Sequence, residues 1–479
     1  MTGVTFLIFA VFAVPVLIVR PATAVGLLIA SMLVWPEYLR IPMGPALMSA
    51  PRLIALVLLM RLIVNRPPGL APLHRIDVLV FAGWLWTLIA TFATGSETWH
   101  VSQMIGRVFD TVLMYAVARL AFVNPDDWGR IALPLALTTL FMTAAGVLET
   151  LDVYHLYANL EAYRPFEGFE FEKGDEYRLG LLRAKASLSV HIYFGMAMVI
   201  LAGVHWSMRS YARYPLSGKT AALIAAVGAL TSMSSGPWLA LAVVIILNSY
   251  YYYPRLIKPS LIGFALFCGF LETASNRHFY YLIDYLALDG GTAWYRARLL
   301  EVAVAQLHEY WLVGYGAQLP NHWGALIDGR LHLDVVNQFV VVALYGGLPA
   351  LIALVWSHGA AVRRCVVFWR RTEDIRIRQV VFGLAAALIS LDFASMSVSL
   401  YGPPLLMSYV LLGLCAGACN TVLAVKPAPR PNLFGAARQS RFAAAQESGG
   451  DYRAGGADAA HGLARPTPRD PKKIRPGLV

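Results

Sequence analysis

The chain has 479 residues, of which 58% are hydrophobic and only 14% charged, and its mean hydropathy is +0.58. A soluble globular domain carries roughly 25% charged residues, so this composition excludes an ordinary soluble protein. The formal net charge of +11 is not accompanied by a groove-reading or base-stacking motif, so no nucleic-acid partner is expected.

Long apolar runs fill most of the chain from its start to residue 425. Many approach the roughly 17–25 residues with which an apolar helix crosses a bilayer. Barrel strands would instead alternate over about 10 residues. The sequence therefore predicts an all-α fold, a polytopic transmembrane helical bundle of twelve or thirteen spans within residues 1–425. The apolar runs are 4–19, 22–35, 47–64, 76–92, 108–123, 131–148, 188–206, 221–233, 237–250, 261–271, 335–356, 380–400 and 404–425.

Basic residues collect in alternate loops, a bias that is typical of cytoplasmic loops. They are frequent at 209–219 and 363–378, and again in the tail 426–479. The tail is also rich in Ala, Gly and Pro, so we expect it to be cytoplasmic and disordered. Two larger loops, 149–187 and 273–334, then lie on the opposite side of the membrane, and each is expected to contain short helices.

Charged residues stand out near the ends of these two loops. Arg183 lies near the end of the first loop, and His191 follows at the mouth of the next predicted helix. The second loop has apolar residues at helical spacing, which predicts a helix at the membrane interface or on the bundle. Arg296 and Arg298 lie at the polar end of that helix, and a "GYG" sequence follows at 314–316.

The boundary between the second loop and the next apolar run carries a further polar group. Asp334 and Asn337 are three residues apart and share one face of a helix, and His332 lies just before them. Gly346 and Gly347 follow, and they would allow another helix to approach closely.

These three patterns, in this order and at these spacings, resemble the bacterial O-antigen polymerase and O-antigen ligase superfamily over residues 163–356. In that family, an Arg-bearing segment leads to a His stretch at the entry of a helix. A second Arg segment ends in a "GYG"-like turn, and a His/Asn motif with glycines follows. The family commonly has His directly before Asn, whereas Val336 precedes Asn337 here; "DVVN" instead matches the Asp-x-x-Asn pattern of a subset.

The resemblance implies a glycosyltransferase of the bacterial inner membrane with a periplasmic active site and neither metal nor other cofactor. Its donor would be an undecaprenyl-diphosphate-linked oligosaccharide. Arg183, Arg296 and Arg298 would bind the diphosphate, because a guanidinium is permanently charged and binds phosphate through a bidentate fork. His332 or Asp334 would serve as the general base. The residues expected to bind or support the substrate are His191, Asn337 and Asp392.

Each candidate also has a purely structural explanation. The arginines could pair with carboxylates of the loops, and the histidines could be packing residues. Asp334 and Asn337 could cap the start of a helix. Asp392 lies inside a predicted span, where a charge is costly enough to indicate a function, and one of the arginines is its expected partner.

Three functions remain open on the sequence alone. The first is polymerisation of lipid-linked repeat units into exopolysaccharide or O-antigen. The second is an O-antigen ligase that transfers the same lipid-linked glycan to another acceptor. The third is a non-enzymatic transporter or flippase of lipid-linked glycan. A polymerase would work in contact with membrane lipid and beside a chain-length regulator and a flippase of its pathway.

Overall fold

The computed structural model describes residues 2–36, 40–43, 46–65, 73–95, 98–157, 176–274, 290–316, 318–329, 331 and 333–424. Two sequence predictions lie outside these residues. They are the candidate base His332 and the cytoplasmic tail 426–479.

The described residues are mainly helical, so the predicted all-α class is confirmed for them. Their strands form two short antiparallel hairpins: β1 (Arg40–Met43) with β2 (Ala46–Ser49), and β3 (Tyr177–Arg178) with β4 (Leu181–Leu182). The α-helices in chain order are α1 Thr2–Ile18, α2 Pro21–Val34, α3 Ala50–Val64, α4 Arg75–Ala93, α5 Thr98–Val108, α6 Met114–Ala121, α7 Asp127–Thr150, α8 His191–Ser207, α9 Lys219–Thr231, α10 Ser235–Ser249, α11 Ile257–Ala274, α12 Gly290–Ala305, α13 Leu307–Tyr310, α14 His322–Ile327, α15 Gln338–Arg371, α16 Ile375–Ser395 and α17 Pro403–Ala424.

Six helices are long and apolar enough to cross a membrane, judged by length and composition, and they indicate a membrane protein. One of them, Pro254–Ala274, has no residue of its most apolar stretch buried inside the protein. Its exposed apolar side chains therefore favour an apolar environment over water. Shorter apolar helices of 10–17 residues accompany them. The total of twelve or thirteen spans stays a prediction. The six long helices are Arg75–Ala93, Asp127–Thr150, Pro254–Ala274, Gln338–Arg371, Ile375–Ser395 and Pro403–Val422.

Small residues bring the central helices together. The helix α16 packs against α8, α10, α15 and α17. A methyl group at Gly203 would come within 2.6 Å of the Cβ atom of Ala387, and one at Gly383 within 2.6 Å of the Cβ atom of Ser207. Glycine at these positions therefore permits the close helix contacts that membrane bundles use.

Two basic loops meet at one end of the bundle. The guanidinium carbon of Arg376 lies 5.3 Å from the ring centre of Tyr211, and the Ser210 hydroxyl donates a hydrogen bond to Gln379. The shared position of these loops agrees with the alternation of basic residues in the sequence. Which end faces the cytoplasm stays a prediction.

A glycine kink divides α15 into a short arm, 338–345, and a long arm, 348–371. Gly346 has φ −145° and ψ 18°, and Gly347 has φ +68° and ψ −171°, neither of which is helical. The backbone groups freed at the kink bond to the turn around the "GYG" sequence. The Tyr315 amide donates to the carbonyl of Leu344 and the Leu348 amide to that of Trp311, each at 2.7 Å.

The second large loop contains helices, and the described part of the first does not. In the second loop, α12, α13 and α14 pack with the short arm of α15 into a hydrophobic core separate from that of the bundle. In the first loop, residues 158–175 lie outside the described residues, so the short helices expected in this loop stay a prediction. The described residues 177–182 form the β3–β4 hairpin. Leu179 and Gly180 join its strands at φ +56° and +78°, the left-handed pair that a tight two-residue hairpin turn needs.

Candidate functional site

Two serine-rich turns lie side by side at the end of the bundle opposite the basic loops. The first serine turn, 232–236, joins α9 to α10, and the second serine turn, 396–402, joins α16 to α17. A methyl group at Gly236 would lie 3.3 Å from Cγ2 of Val398 and 3.9 Å from the Ser397 hydroxyl. The two turns therefore form one surface, and candidate residues from both large loops reach it.

Residues of the first loop bind the first serine turn. An Nη atom of Arg183 donates to the Ser234 hydroxyl at 3.0 Å, and an Nη atom of Arg178 donates to the Met233 carbonyl at 3.2 Å. Arg183 also forms an ion pair with Glu176. The Nδ1 atom of His191, the first residue of α8, is 3.9 Å from the same carboxylate. Basic side chains thus collect beside the turn, around one carboxylate.

Hydrogen bonds to neighbouring elements fix this part of the loop. One carboxylate oxygen of Glu149 accepts the backbone amides of Lys185 and Ala186 at 3.2 and 2.7 Å. The Ala184 amide donates to the carbonyl of Thr231 at 3.0 Å, next to the first serine turn. These hydrogen bonds together hold the backbone that carries Arg183 in place.

The hairpin has its own polar anchor at Asp152. The Tyr177 hydroxyl donates to one carboxylate oxygen at 3.0 Å, and Nε2 of His155 lies 2.8 Å from the other. These hydrogen bonds lower the pKa of Asp152 below its usual value, with the bond from His155 as the larger cause. The ionised carboxylate therefore ties β3 to the end of α7.

Residues of the second loop and of α15 bind the second serine turn. The Nε atom of Arg296 donates to the Ser397 carbonyl at 3.0 Å, and Nδ2 of Asn337 donates to the Met396 carbonyl at 2.7 Å. The side-chain oxygen of Gln338 accepts the Leu400 amide at 2.8 Å. Asn337 also caps α15, since its Oδ1 atom accepts the amides of Phe339 and Val340.

The structure places Arg298 and Asp334 differently from these residues. The guanidinium of Arg298 binds Glu301 at 2.8 Å and approaches the Leu326 carbonyl at 3.5 Å, and 42% of the side chain is exposed. Asp334 is exposed, and its backbone amide and carbonyl both bond to the hydroxyl of Tyr295. Arg298 is thus engaged on α12 and towards α14 rather than at the serine turns.

Asp392 has a histidine partner, so the prediction of an arginine partner is wrong. Its carboxylate lies 2.6 Å from Nδ1 of His358 on α15. Both side chains line a small cavity together with Gln338 and Tyr409. His358 lies just beyond the apolar run 335–356. Nothing in the sequence indicates that two helices will bring it to Asp392.

Sequence reasoning also missed Arg107. This residue lies in the last turn of α5, just before a π-helical turn, Phe109–Leu113, a feature often found at functional sites. Its guanidinium carbon lies 3.7 Å from the ring centre of Tyr345. Tyr401 of the second serine turn lies nearby; its pKa is raised, first by burial and then by Tyr345, against the opposing charge of Arg107. In the sequence, Arg107 looks like an ordinary flank of the apolar run 108–123.

The chain was compared with protein-family models and with curated proteins, and neither comparison found a match. The resemblance in three sequence motifs therefore stays a hypothesis. Independently of the resemblance, the described residues contain two features that suit a chemical role. One is a surface of serine turns bound by Arg183 and Arg296, and the other is a guanidinium next to tyrosine rings.

Proposed function

We propose that the protein is a membrane-embedded glycosyltransferase that polymerises undecaprenyl-diphosphate-linked oligosaccharides into exopolysaccharide or O-antigen. The observation that carries the proposal is the convergence of two loops. Arg183 from the first loop and Arg296 from the second bind adjacent turns at the same end of the bundle. This surface is the proposed periplasmic active site of a protein in the bacterial inner membrane.

The chemistry of the transfer needs positive charge at such a surface. A hydroxyl oxygen of the acceptor sugar bonds to the anomeric carbon of the donor, and the bond from that carbon to the diphosphate oxygen breaks. Undecaprenyl diphosphate leaves with the electron pair, and the hydroxyl proton passes to a base. Guanidinium groups stabilise the charge that develops on the diphosphate, so Arg183 and Arg296 are the proposed clamp.

The base is proposed to be Asp334 or His332. Asp334 is exposed and lies three residues before the Asn337 cap, and its backbone bonds to Tyr295, the residue before Arg296. A carboxylate at this position can accept a proton from a hydroxyl within hydrogen-bond reach. His191 and Asn337 are proposed to support the site by packing and by capping.

The test uses purified protein in lipid nanodiscs with lipid-linked repeat units, and the readout is the length of the glycan. Arg183→Gln and Arg296→Gln should each lower the rate by about 10²–10³, the usual effect of removing a charge-stabilising group. Lysine should rescue poorly because a point charge cannot reproduce the fork. Arg376→Gln, which removes an equal charge from a side chain that is 56% exposed at the other end, is the control.

Two results would contradict the proposal, the first by refuting the arginine clamp and the second by refuting the polymerase. Wild-type rates in both glutamine variants would show that these arginines do not bind the leaving group. A wild-type protein that makes no polymer but attaches the glycan to a lipid acceptor would instead be a ligase. A melting temperature measured for each variant separates loss of chemistry from loss of fold, since both arginines also hold turns.

A further inference from the structure

A cavity lies between α4, α15 and α17, beside the second serine turn, to which its lining residue Gln338 bonds. It measures about 690 Å³, counting the part that is open to the surroundings. Its wall is mainly apolar, with Leu79, Val80, Trp84, Leu354 and Leu405 among the lining residues. Such a wall favours an apolar chain over water.

Arg107 is the cation in this wall. Among the residues that the structure describes, no carboxylate pairs with it, and its described partner is the ring of Tyr345 at 3.7 Å. Arg52, by contrast, is paired with a carboxylate. Its guanidinium binds both carboxylate oxygens of Asp110, which lies close to Arg107 in the chain, at 2.7 and 2.6 Å. A cation–π contact stabilises a guanidinium but leaves its charge in place. The site therefore favours an anion.

The polar and apolar parts of the cavity follow one another along the helices. Tyr345 and Thr87 lie at the kink, since a methyl group at Gly346 would come within 3.0 Å of the Thr87 hydroxyl. The wall continues away from the kink to Leu79 on α4 and Leu354 on α15. Eight residues separate positions 79 and 87, which is about 12 Å along a helix. A charged end and an apolar end at this spacing match an amphiphile.

We infer that this cavity binds a lipid phosphate with a single apolar chain, with the phosphate on Arg107 and the chain along Leu79 and Leu354. One cation leads into one apolar wall, which suits one chain better than the two chains of a phospholipid. The side-chain nitrogen of Gln338, which also lines the cavity, can donate hydrogen bonds to phosphate oxygens, because the Leu400 amide occupies only the oxygen of that side chain. The inference rests on the proposed function only for the origin of the lipid, because binding needs no glycan.

The test measures binding of farnesyl phosphate to the full chain in phosphatidylcholine nanodiscs. Arg107→Gln should weaken binding about tenfold or more, since a hydrogen-bonded charge is lost. Leu354→Trp should weaken it by filling the apolar wall, and Arg107→Lys should retain part of the affinity. Farnesol, which lacks the phosphate, and inorganic phosphate, which lacks the chain, should each bind at least tenfold more weakly. Arg376→Gln should bind like the wild type.

A second measurement avoids variants altogether. A farnesyl phosphate analogue with a photoactivatable chain should label peptides of α4 and α15 in the wild-type protein. Labelling elsewhere, or unchanged affinity in Arg107→Gln, would overturn the inference. Equal binding of inorganic phosphate would show a simple ion site. Full competition by phosphatidylglycerol would show a site for phospholipid headgroups. Either result would refute a single-chain lipid site. The two proposals can fail separately. If Arg183→Gln and Arg296→Gln still make polymer, the proposed clamp is refuted, and this inference stands as long as the protein still binds farnesyl phosphate.

Discussion

Arg296 and Asn337 bind consecutive backbone carbonyls of the second serine turn. Arg296 donates to Ser397 at 3.0 Å, and Asn337 donates to Met396 at 2.7 Å. One residue comes from the second large loop and the other from the start of α15. The turn is therefore fixed by two separate segments, and any substrate that contacts it meets a preformed surface.

We expect Asn337→Ala to destabilise the protein by about 1–3 kcal/mol. The variant loses the helix cap, which is typically worth about 1 kcal/mol, and leaves the Met396 carbonyl without this donor. Asn337→Asp keeps the cap oxygen and loses only the donor, so it should fall between the wild type and the alanine variant. Thermal unfolding in nanodiscs measures the difference. Equal stability of Asn337→Asp and the wild type would contradict a role for the Met396 bond.

Arg298→Gln should lower polymer synthesis far less than Arg296→Gln. The two arginines are two residues apart on α12 and therefore point to different sides of it. Arg296 reaches the second serine turn, whereas Arg298 binds Glu301 and remains 42% exposed. Glycan length in the nanodisc assay compares them directly. A loss of about 10²–10³ for Arg298→Gln as well would return this residue to the clamp.

The sequence was a good guide where the evidence was periodicity and charge. It predicted the helical class, and it selected Arg183 and Arg296, which the fold brings to adjacent turns. It was a poor guide where one contact decides the outcome. The β3–β4 turn uses Leu179 before Gly180, without the Asn or Asp that usually marks such a turn.

The contacts of His358, Asp392 and Arg107 could not be read from the sequence for a similar reason. His358 and Asp392 meet only because α15 and α16 pack side by side. Arg107 precedes an apolar run, where a basic residue usually reports only the end of a span. Its place in a cavity depends on the packing of α4, α15 and α17, which no local pattern encodes.

Gly347→Ala should be strongly destabilising. Gly347 combines φ +68° with ψ −171°, a region that only glycine adopts readily, so strain alone costs about 1–3 kcal/mol. An added methyl group would also fall on the carbonyl of Leu312. Gly359 lies on the same helix with nothing within 4 Å of an added methyl group, so Gly359→Ala should be neutral or slightly stabilising. Equal melting temperatures for the two variants would show that the kink tolerates a side chain.

The pair of His358 and Asp392 should be coupled in stability. Removing one partner leaves the other without its hydrogen bond between two helices, at a cost of about 1–3 kcal/mol. His358→Leu and Asp392→Leu together should cost less than the sum of the single changes, because the double variant leaves no polar group behind. A double-mutant cycle by thermal unfolding measures this coupling. Strict additivity would mean that the contact contributes nothing.

Asp152 should make the β3–β4 hairpin sensitive to acid. Its pKa is lowered by hydrogen bonds from His155 and Tyr177, so the folded pKa lies below the unfolded one. The contribution of the carboxylate to stability is then complete above the unfolded pKa and is lost as the pH falls through the folded pKa. Hydrogen exchange of the amides at 177–182 reports this loss.

Because intrinsic exchange also changes with pH, each rate is compared with that of Asp152→Asn at the same pH. The wild-type hairpin should be the better protected of the two near neutral pH, and the difference should vanish in strong acid. A difference that stays constant down to pH 2 would show that ionisation of Asp152 does not hold the hairpin.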